Sequence, residues 1–463
     1  MSNDWQGGEV LICGGTEWPQ LGRSKGKRDD ATEAKFPNLL LPHRIKSLMD
    51  VKIAFISGGP AACHVLAGDL EGRLYTWGRN EKGQLGHGDT TPRNNPTVVE
   101  ALVKSNAFVT SGCGGRSHTV VVTKSGDSYA FGLNTHGQCG TGSVKAKGRG
   151  AEDLLLTPTR CLVPGAVTQV ACGVDFSLWL CDQKVYAAGC GQYGVLGDGS
   201  DHSYNAKDSS IQIVFEAVST PKLVQHIASQ NVIRIASGQQ HCMALDDGGN
   251  LFSWGNGGYG RLGHKIQQDE FKPRRIDTFT GRNAVPRDAV LSGGQTSSFC
   301  LGNGPCLYQW GKLKVSGDNQ TYPAASDLTG WNIRSMACGP NTFAIAAENS
   351  VITWGQAIAG ELGYGPLKKS SANPMKCEAL EGGYVHQVAA GLGFTAFLVS
   401  PSHPKVAGAP VWCPPADLGG ADVAKSGGKA RGAAAAAAAV ENGAEAEKEE
   451  EEQEEEEEED EEA

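Results

Sequence analysis

One four-residue mark constrains this chain more than any other feature: an apolar residue, any residue, a small residue, then glycine. It returns as FISG (55–58), VTSG (109–112), VACG (170–173), IASG (235–238), VLSG (290–293), MACG (336–339) and VAAG (388–391). Sixteen to twenty residues after each of the first six glycines stands an aromatic-glycine pair or its relic: Trp77-Gly78, Phe131-Gly132, Ala188-Gly189, Trp254-Gly255, Trp310-Gly311, Trp354-Gly355. Stretches between the two marks, such as HTVVVTKSGDSYAFG, alternate at period two around a glycine-bearing turn. Each unit therefore reads as a small antiparallel meander. A repeat of this kind grows by adding units, not by enlarging one core.

The two ends say how the units close. After the seventh mark comes one strand, FTAFLVS (394–400), and the pattern stops without its aromatic-glycine strand. The N-terminus begins with the missing half, VLICGG (10–15), followed by PQLGRS. An open array would leave two bare sheet edges, whereas a ring whose first and last segments share a blade leaves none. The expected fold is all-β: a seven-bladed β-propeller over residues 1–400, with residues 10–25 completing the last blade.

Most aromatic-glycine pairs continue into a common loop, GQLGHGD, GQCGTGS, GVLGDGS, GRLGHKI or GELGYGP, whereas the fifth copy, WGKLKVSGDN, has lost it. These loops explain why glycine, 63 of 463 residues, is about twice as common as usual. Glycine supplies positive φ and removes the Cβ where neighbouring blades approach. Leu85 of GQLG is expected to plug between blades, and the tryptophans to pack against the next sheet.

Chemistry of the usual enzymatic kinds finds no support. No run of about 18 apolar residues and no signal-peptide pattern occurs, so an intracellular chain without membrane insertion is expected. The 14 cysteines include no C-x-x-C pair. In the slot before the repeat glycine, Cys172 and Cys338 alternate with serine and alanine, which makes them packing residues and leaves no metal or cofactor to expect. GCGQYG (189–194) and GNGGYG (255–260) match a dinucleotide-binding string but lie in the repeat turn, before Leu-Gly and not before an apolar helix. His118 and His241, and likewise His87 and His264, occupy equivalent repeat positions, which predicts satisfied turn hydrogen bonds. Acids are scattered without a pair, so no catalytic residue is assigned.

Charge is divided unevenly. Residues 441–463 hold sixteen acids and one lysine, so a chain of net −10 with −15 in its tail leaves +5 on the other 440 residues. Residues 401–440, rich in Pro, Gly and Ala, read as a linker, and 441–463 as a disordered acidic tail. VWCPP (411–415) is a candidate contact with the body. Three unrepeated stretches, 143–160, 201–231 and 264–288, are where a rigid ring would carry recognition. The middle one makes the longest blade interval, 66 residues from Gly189 to Gly255. With Lys207, Asp208, Ile211, Ile213, Val214 and Phe215 it is the first candidate for a protein contact.

With these marks on the page, the chain resembles the regulator of chromosome condensation family of propellers. The strings WGRNEKGQLGHGDT (77–90), GGYGRLGH (257–264), GWNIRSMACG (330–339) and ELGYG (361–365) are similar to its second paralogue branch. The resemblance covers roughly 10–400. It implies a monomeric, non-enzymatic scaffold that binds small GTPases of the Rac, Arf and Ral kinds, with guanine-nucleotide exchange among the attributed roles. It further implies contact with chromatin or histones and with microtubules, and a place in nucleus and cytoplasm, moving to chromosomes, centromeres and spindle in mitosis. A chromatin binder without GTPase business is the alternative. In the family's Ran exchanger, residues just after the small-glycine mark face the GTPase. Asp175, in ACGVDF, matches an acidic position there. Arg116, in GGRSHT, stands where that exchanger has an acid, which argues against Ran as the partner and weakens the case for exchange. The branch carries a long basic N-terminal extension, whereas this chain starts almost at the propeller with only RSKGKR (23–28), read as a solvated loop.

Overall fold

The protein is described by a computed structural model over residues 6–23, 29–144, 151–207, 210–314 and 316–417. Seven sheets stand around an axis, each a meander whose first strand is innermost. Blade 1 comprises Ile53–Ser57, His64–Asp69, Leu74–Gly78 and Arg93–Val98. Blades 2 to 6 repeat this plan, opening at Val109–Gly114, Val167–Cys172, Val232–Ser237, Leu291–Gly293 and Ile333–Cys338. The seven small-glycine marks are thus the seven inner strands. Neighbouring inner strands touch all the way round, from blade 1 through blade 7 and back. They enclose an axial cavity of about 230 Å³.

Closure is as expected, and more extensive. In blade 7 the order is Val385–Gly391, Phe394–Val399, Glu9–Gly14, Leu39–Ile45 and Val411–Trp412. The N-terminal strand runs antiparallel to the last repeat strand over its whole length, from Glu9 opposite Val399 to Gly14 opposite Phe394. The expectation that residues 10–25 finish the blade stops too early, because the outer strand comes only at Leu39–Ile45, after a long loop. The VWCPP contact is present: Val411 and Trp412 pair in parallel with Arg44 and Ile45, and Trp412 is buried.

The seven outer strands hold the main correction. Leu154–Arg160, Ala217–Leu223 and Glu270–Arg275 are the fourth strands of blades 2, 3 and 4. Much of each supposed insertion is therefore scaffold. Outer strands face solvent on one edge, so their apolar pattern is weak. Their common signal is proline: Pro42, Pro96, Pro158, Pro221, Pro273, Pro323 and Pro374, one in every outer strand. Each falls where the pairing register slips, as between Thr97 and Arg93 opposite Thr76 and Gly78. Proline donates no ladder hydrogen bond and is tolerated at such a bulge or at a sheet edge, where it also blocks pairing with another chain.

The core is distributed among the seams between blades. Trp77 shares a cluster with Val10, Ile12 and Phe394 of blade 7, and Trp254 with Leu178 and Val185 of blade 3. The aromatics thus pack against the preceding blade, not the next one, because the preceding blade's glycine loop reaches over the seam. Gly197 shows why that loop needs glycine: its φ is +70°, and a Cβ would stand 3.0 Å from Nε1 of Trp254. Leu85 is fully buried beneath its own loop, with its N–H donated to Oδ1 of Asn80 and its carbonyl accepting from Thr76.

Candidate partner-binding face

Turns between first and second strands and loops between third and fourth strands emerge on one face of the ring. Arg116 lies in such a turn of blade 2 and Asp175 in the same turn of blade 3. Their spacing of one repeat brings them together: Nη2 of Arg116 stands 2.5 Å from Oδ2 of Asp175. The guanidinium is half exposed while the carboxylate is mostly covered. Oδ1 of Asp175 is buried without a hydrogen-bond partner among the described residues. A carboxylate left half-satisfied at a rim costs free energy in isolation and gains from any N–H donor or cation that reaches it.

Beside this pair rises a two-stranded hairpin, Ser203–Asn205 with Ile213–Phe215, which belongs to no blade. Its register is Ser203 opposite Phe215, Tyr204 opposite Val214 and Asn205 opposite Ile213. Nε2 of His202 bonds Oδ2 of Asp198 at 2.8 Å, and Gly191 lets that ring approach. Cys190, just before Gly191, donates its N–H to the carbonyl of Asp175 at 2.9 Å, which ties hairpin base to ion pair. Burial pushes the Cys190 thiol up to about 11, so it stays protonated.

Of the residues singled out from sequence, Ile211 is 88% exposed. Val214 and Phe215 are half-buried, Lys207 is exposed, and Asp208 lies outside the described residues. Sequence reasoning missed Tyr204, which is 55% exposed, as is Ile213. Tyr204 lies before the apolar run, and only the strand pairing joins it to Ile213 and Ile211 on one projecting element. A lone hairpin is marginal in water, so apolar groups at its tip gain from a surface that covers them.

The repeated histidines prove structural, and they bridge blades. Nε2 of His64 lies 2.7 Å from Oγ1 of Thr119, which donates its own proton to the carbonyl of Gln84 at 2.8 Å. Nε2 must therefore carry the imidazole proton. The same relay joins His118, Ser177 and the Gln138 carbonyl, and His241, Ser298 and the Arg261 carbonyl. In all three, Nδ1 is buried without a partner among the described residues. Burial accordingly holds the rings neutral, pulled down to about 3 for His64 and His241 and about 4 for His118. His87 and His264 bond Thr76 and Ser253 inside their loops at 3.0 and 2.9 Å. Both dinucleotide-like strings end in short 3-10 turns with Tyr193 and Tyr259 at positive φ, which is turn geometry. Among the described residues no His, Cys, Asp and Glu group is placed to hold a metal ion, and no helix is long and apolar enough to cross a membrane.

Comparisons with known proteins agree with this architecture. The model of the RCC1-like domain matches residues 9–397. The Protein RCC2 homolog of Xenopus laevis is 39% identical over 406 residues, covering 84% of this chain and 77% of that protein. Human Protein RCC2 is 38% identical over 404 residues, covering 83% and 74%. Among solved structures, human WBSCR16 superposes with a TM-score of 0.67 at 24% identity, covering 85% of this chain and 99% of that one. Yeast RCC1 (Prp20), in its complex with Kap60, gives 0.67 at 20% identity, covering 87% and 91%. Seven matching marks, ring closure through the N-terminal strand and these identities lead to one conclusion: the chain belongs to the RCC1-like propeller family, with RCC2 proteins among its relatives.

Proposed function

We propose that this protein is a non-enzymatic propeller scaffold that binds a small GTPase of the Rac, Arf or Ral kind on its loop-bearing face, in the service of chromosome segregation and the cytoskeleton. The observation that carries this reading is the projecting hairpin with exposed Tyr204, Ile211 and Ile213 beside the half-satisfied Asp175. Apolar anchors beside a charged pair make a usual interface core and rim. Guanine-nucleotide exchange would require no chemical group of its own: a surface that prefers the nucleotide-free GTPase weakens nucleotide binding by the same factor that nucleotide weakens the surface. The test is a panel of nucleotide-free Rac, Arf, Ral and Ran against the full chain and a variant with 201–216 shortened. Saturable binding to one of the first three, lost in the variant, is expected; no binding above background in the whole panel removes the reading.

A second reading is favoured by the uneven charge, and by a yeast Prp20p structure reported together with that protein's binding to Gsp1p and histones. It makes the chain a chromatin binder whose +5 body meets nucleic acid and whose acidic tail opposes that contact. Removing 441–463 would then tighten nucleosome binding at low salt. Binding that ignores both tail and salt excludes it.

A further inference from the structure

The fifth and sixth blades meet differently from their neighbours. The fifth copy lacks the glycine loop and has Leu313 where Asn80 and Asn134 scaffold that loop elsewhere. Among the described residues no loop carbonyl like that of Gln84 or Arg261 is hydrogen-bonded across this seam. Phe343 takes the place of the hydroxyl residue that answers the histidine at the three relayed seams, and Ser297 the place of the histidine. What remains is a cleft of about 460 Å³ opening on the loop-bearing face, with Phe343 in its wall and Lys312 and Lys314 at its edge. The side-chain amides of Gln295, Asn341 and Gln356 line it without hydrogen-bond partners among the described residues.

The charges around it are unanswered. At the three seams from blade 7 round to blade 3, a basic residue of this face meets an acid of the next blade: Arg23 with Glu81, Lys82 with Glu152 and Arg116 with Asp175. Around the cleft, Lys312, Lys314, Lys368 and Lys369 have no acidic partner among the described residues; Lys312 lies only over the Tyr259 ring, 4.8 Å from its centre. Lys368 and Lys369 directly precede Ser370 of the lining, and the same loop exposes Ile358 (83%) and Leu367 (100%).

We propose that this cleft and its lysines are the docking site of the chain's own acidic segment, residues 441–463. Three observations choose that occupant. The first is charge: a net −15 segment faces the unpaired cations of a body whose residues 1–417 carry +3. The second is where the described chain ends. Oδ1 of Asp417 accepts from the backbone N–H of Asn94 and Asn95, at the loop-face end of blade 1's outer strand, and only blades 7 and 6 lie between that point and the cleft. The third is length. The 23 residues from 418 to 440 span up to ~80 Å when extended, against a radius of gyration of ~21 Å for a compact body of about 400 residues.

The experiment is zero-length carbodiimide crosslinking of the full chain at low salt, which joins carboxylates directly to lysine amines, read by mass spectrometry. Crosslinks from 441–463 should fall on Lys312, Lys314, Lys368 and Lys369 at least about threefold more often than on exposed lysines such as Lys46, Lys104 and Lys222, and the preference should fade at high ionic strength. In a Lys312→Gln, Lys314→Gln, Lys368→Gln, Lys369→Gln variant with unchanged circular dichroism, tail crosslinks should spread evenly over the remaining lysines. Crosslinks that follow exposure alone in the natural chain overturn the proposal. So do crosslinks found only between differently isotope-labelled molecules, which would give the cleft to a second copy.

Discussion

The seam between blades 1 and 2 and the seam between blades 5 and 6 solve one packing problem in two chemistries. At the first, a buried imidazole donates to a threonine hydroxyl, which donates to a loop carbonyl, so three polar groups from two blades satisfy one another. At the second, Phe299, Phe343 and Trp354 fill the space with rings whose centres are 5.0 to 6.0 Å apart. A polar relay works only when every member is present, since a missing partner leaves a buried group unpaired. Once the fifth copy lost its loop and carbonyl, hydroxyl and histidine had no role there, and aromatic packing is the consistent replacement. The lesson is that a seam can lose the relay and keep its loop, as between blades 3 and 4, where Phe176 and Cys242 hold the two positions beside the Val195 carbonyl, and that losing the loop as well leaves a cleft.

The difference can be broken from either side. Phe343→Ala should remove the aromatic seam at about 3–5 kcal/mol, the usual cost of emptying a buried phenylalanine site; chemical denaturation showing under about 1 kcal/mol would mean that the rings do not hold blades 5 and 6 together. The relayed seams should instead betray themselves by pH. Burial holds His64, His118 and His241 at about 3 to 4 when folded, against about 6.5 when unfolded, so below that value the unfolded chain binds more protons. Stability from the neutral rings is therefore full above about pH 6.5 and is lost as pH falls towards 3, on the order of a few kcal/mol per ring. A His118→Gln variant should show a shallower decline of its unfolding midpoint over this window, and an unchanged slope would refute the linkage.

Smaller effects separate relay from surface. Thr119→Val leaves the Gln84 carbonyl and the His64 N–H without their partner and should cost about 1–3 kcal/mol, whereas Thr395→Val, at the equivalent place in blade 7 where no such relay exists, should cost less than half as much in the same denaturation series. Arg116→Ala should be the mildest, within about 1 kcal/mol, because an ion pair with a half-exposed guanidinium adds little to folding. Its effect belongs in GTPase binding, and a large loss of stability without loss of binding would reverse the assignment of this pair.

Ring architecture was legible because the small-glycine mark recurs at a period no single core produces, and because FTAFLVS and VLICGG are complementary halves. Outer strands were not recognised, although proline stands in all seven, because edge strands with one wet face carry no strong alternation. At the candidate site, sequence placed Arg116 and Asp175 on equivalent turns, and the ion pair followed only from the approach of neighbouring blades. The apolar run Ile211 to Phe215 was visible, yet Tyr204 joined it only through strand pairing.

By itself the sequence determined the number of blades, the way the ring closes and the places where glycine is obligatory, since these follow from local periodicity and backbone sterics. Tertiary structure alone decided which way the tryptophans pack, which histidine meets which hydroxyl, and that the missing fifth loop leaves a cleft and not a collapsed seam. Those outcomes depend on how two blades approach in space, a relation between residues some fifty to sixty positions apart, and no local pattern encodes it.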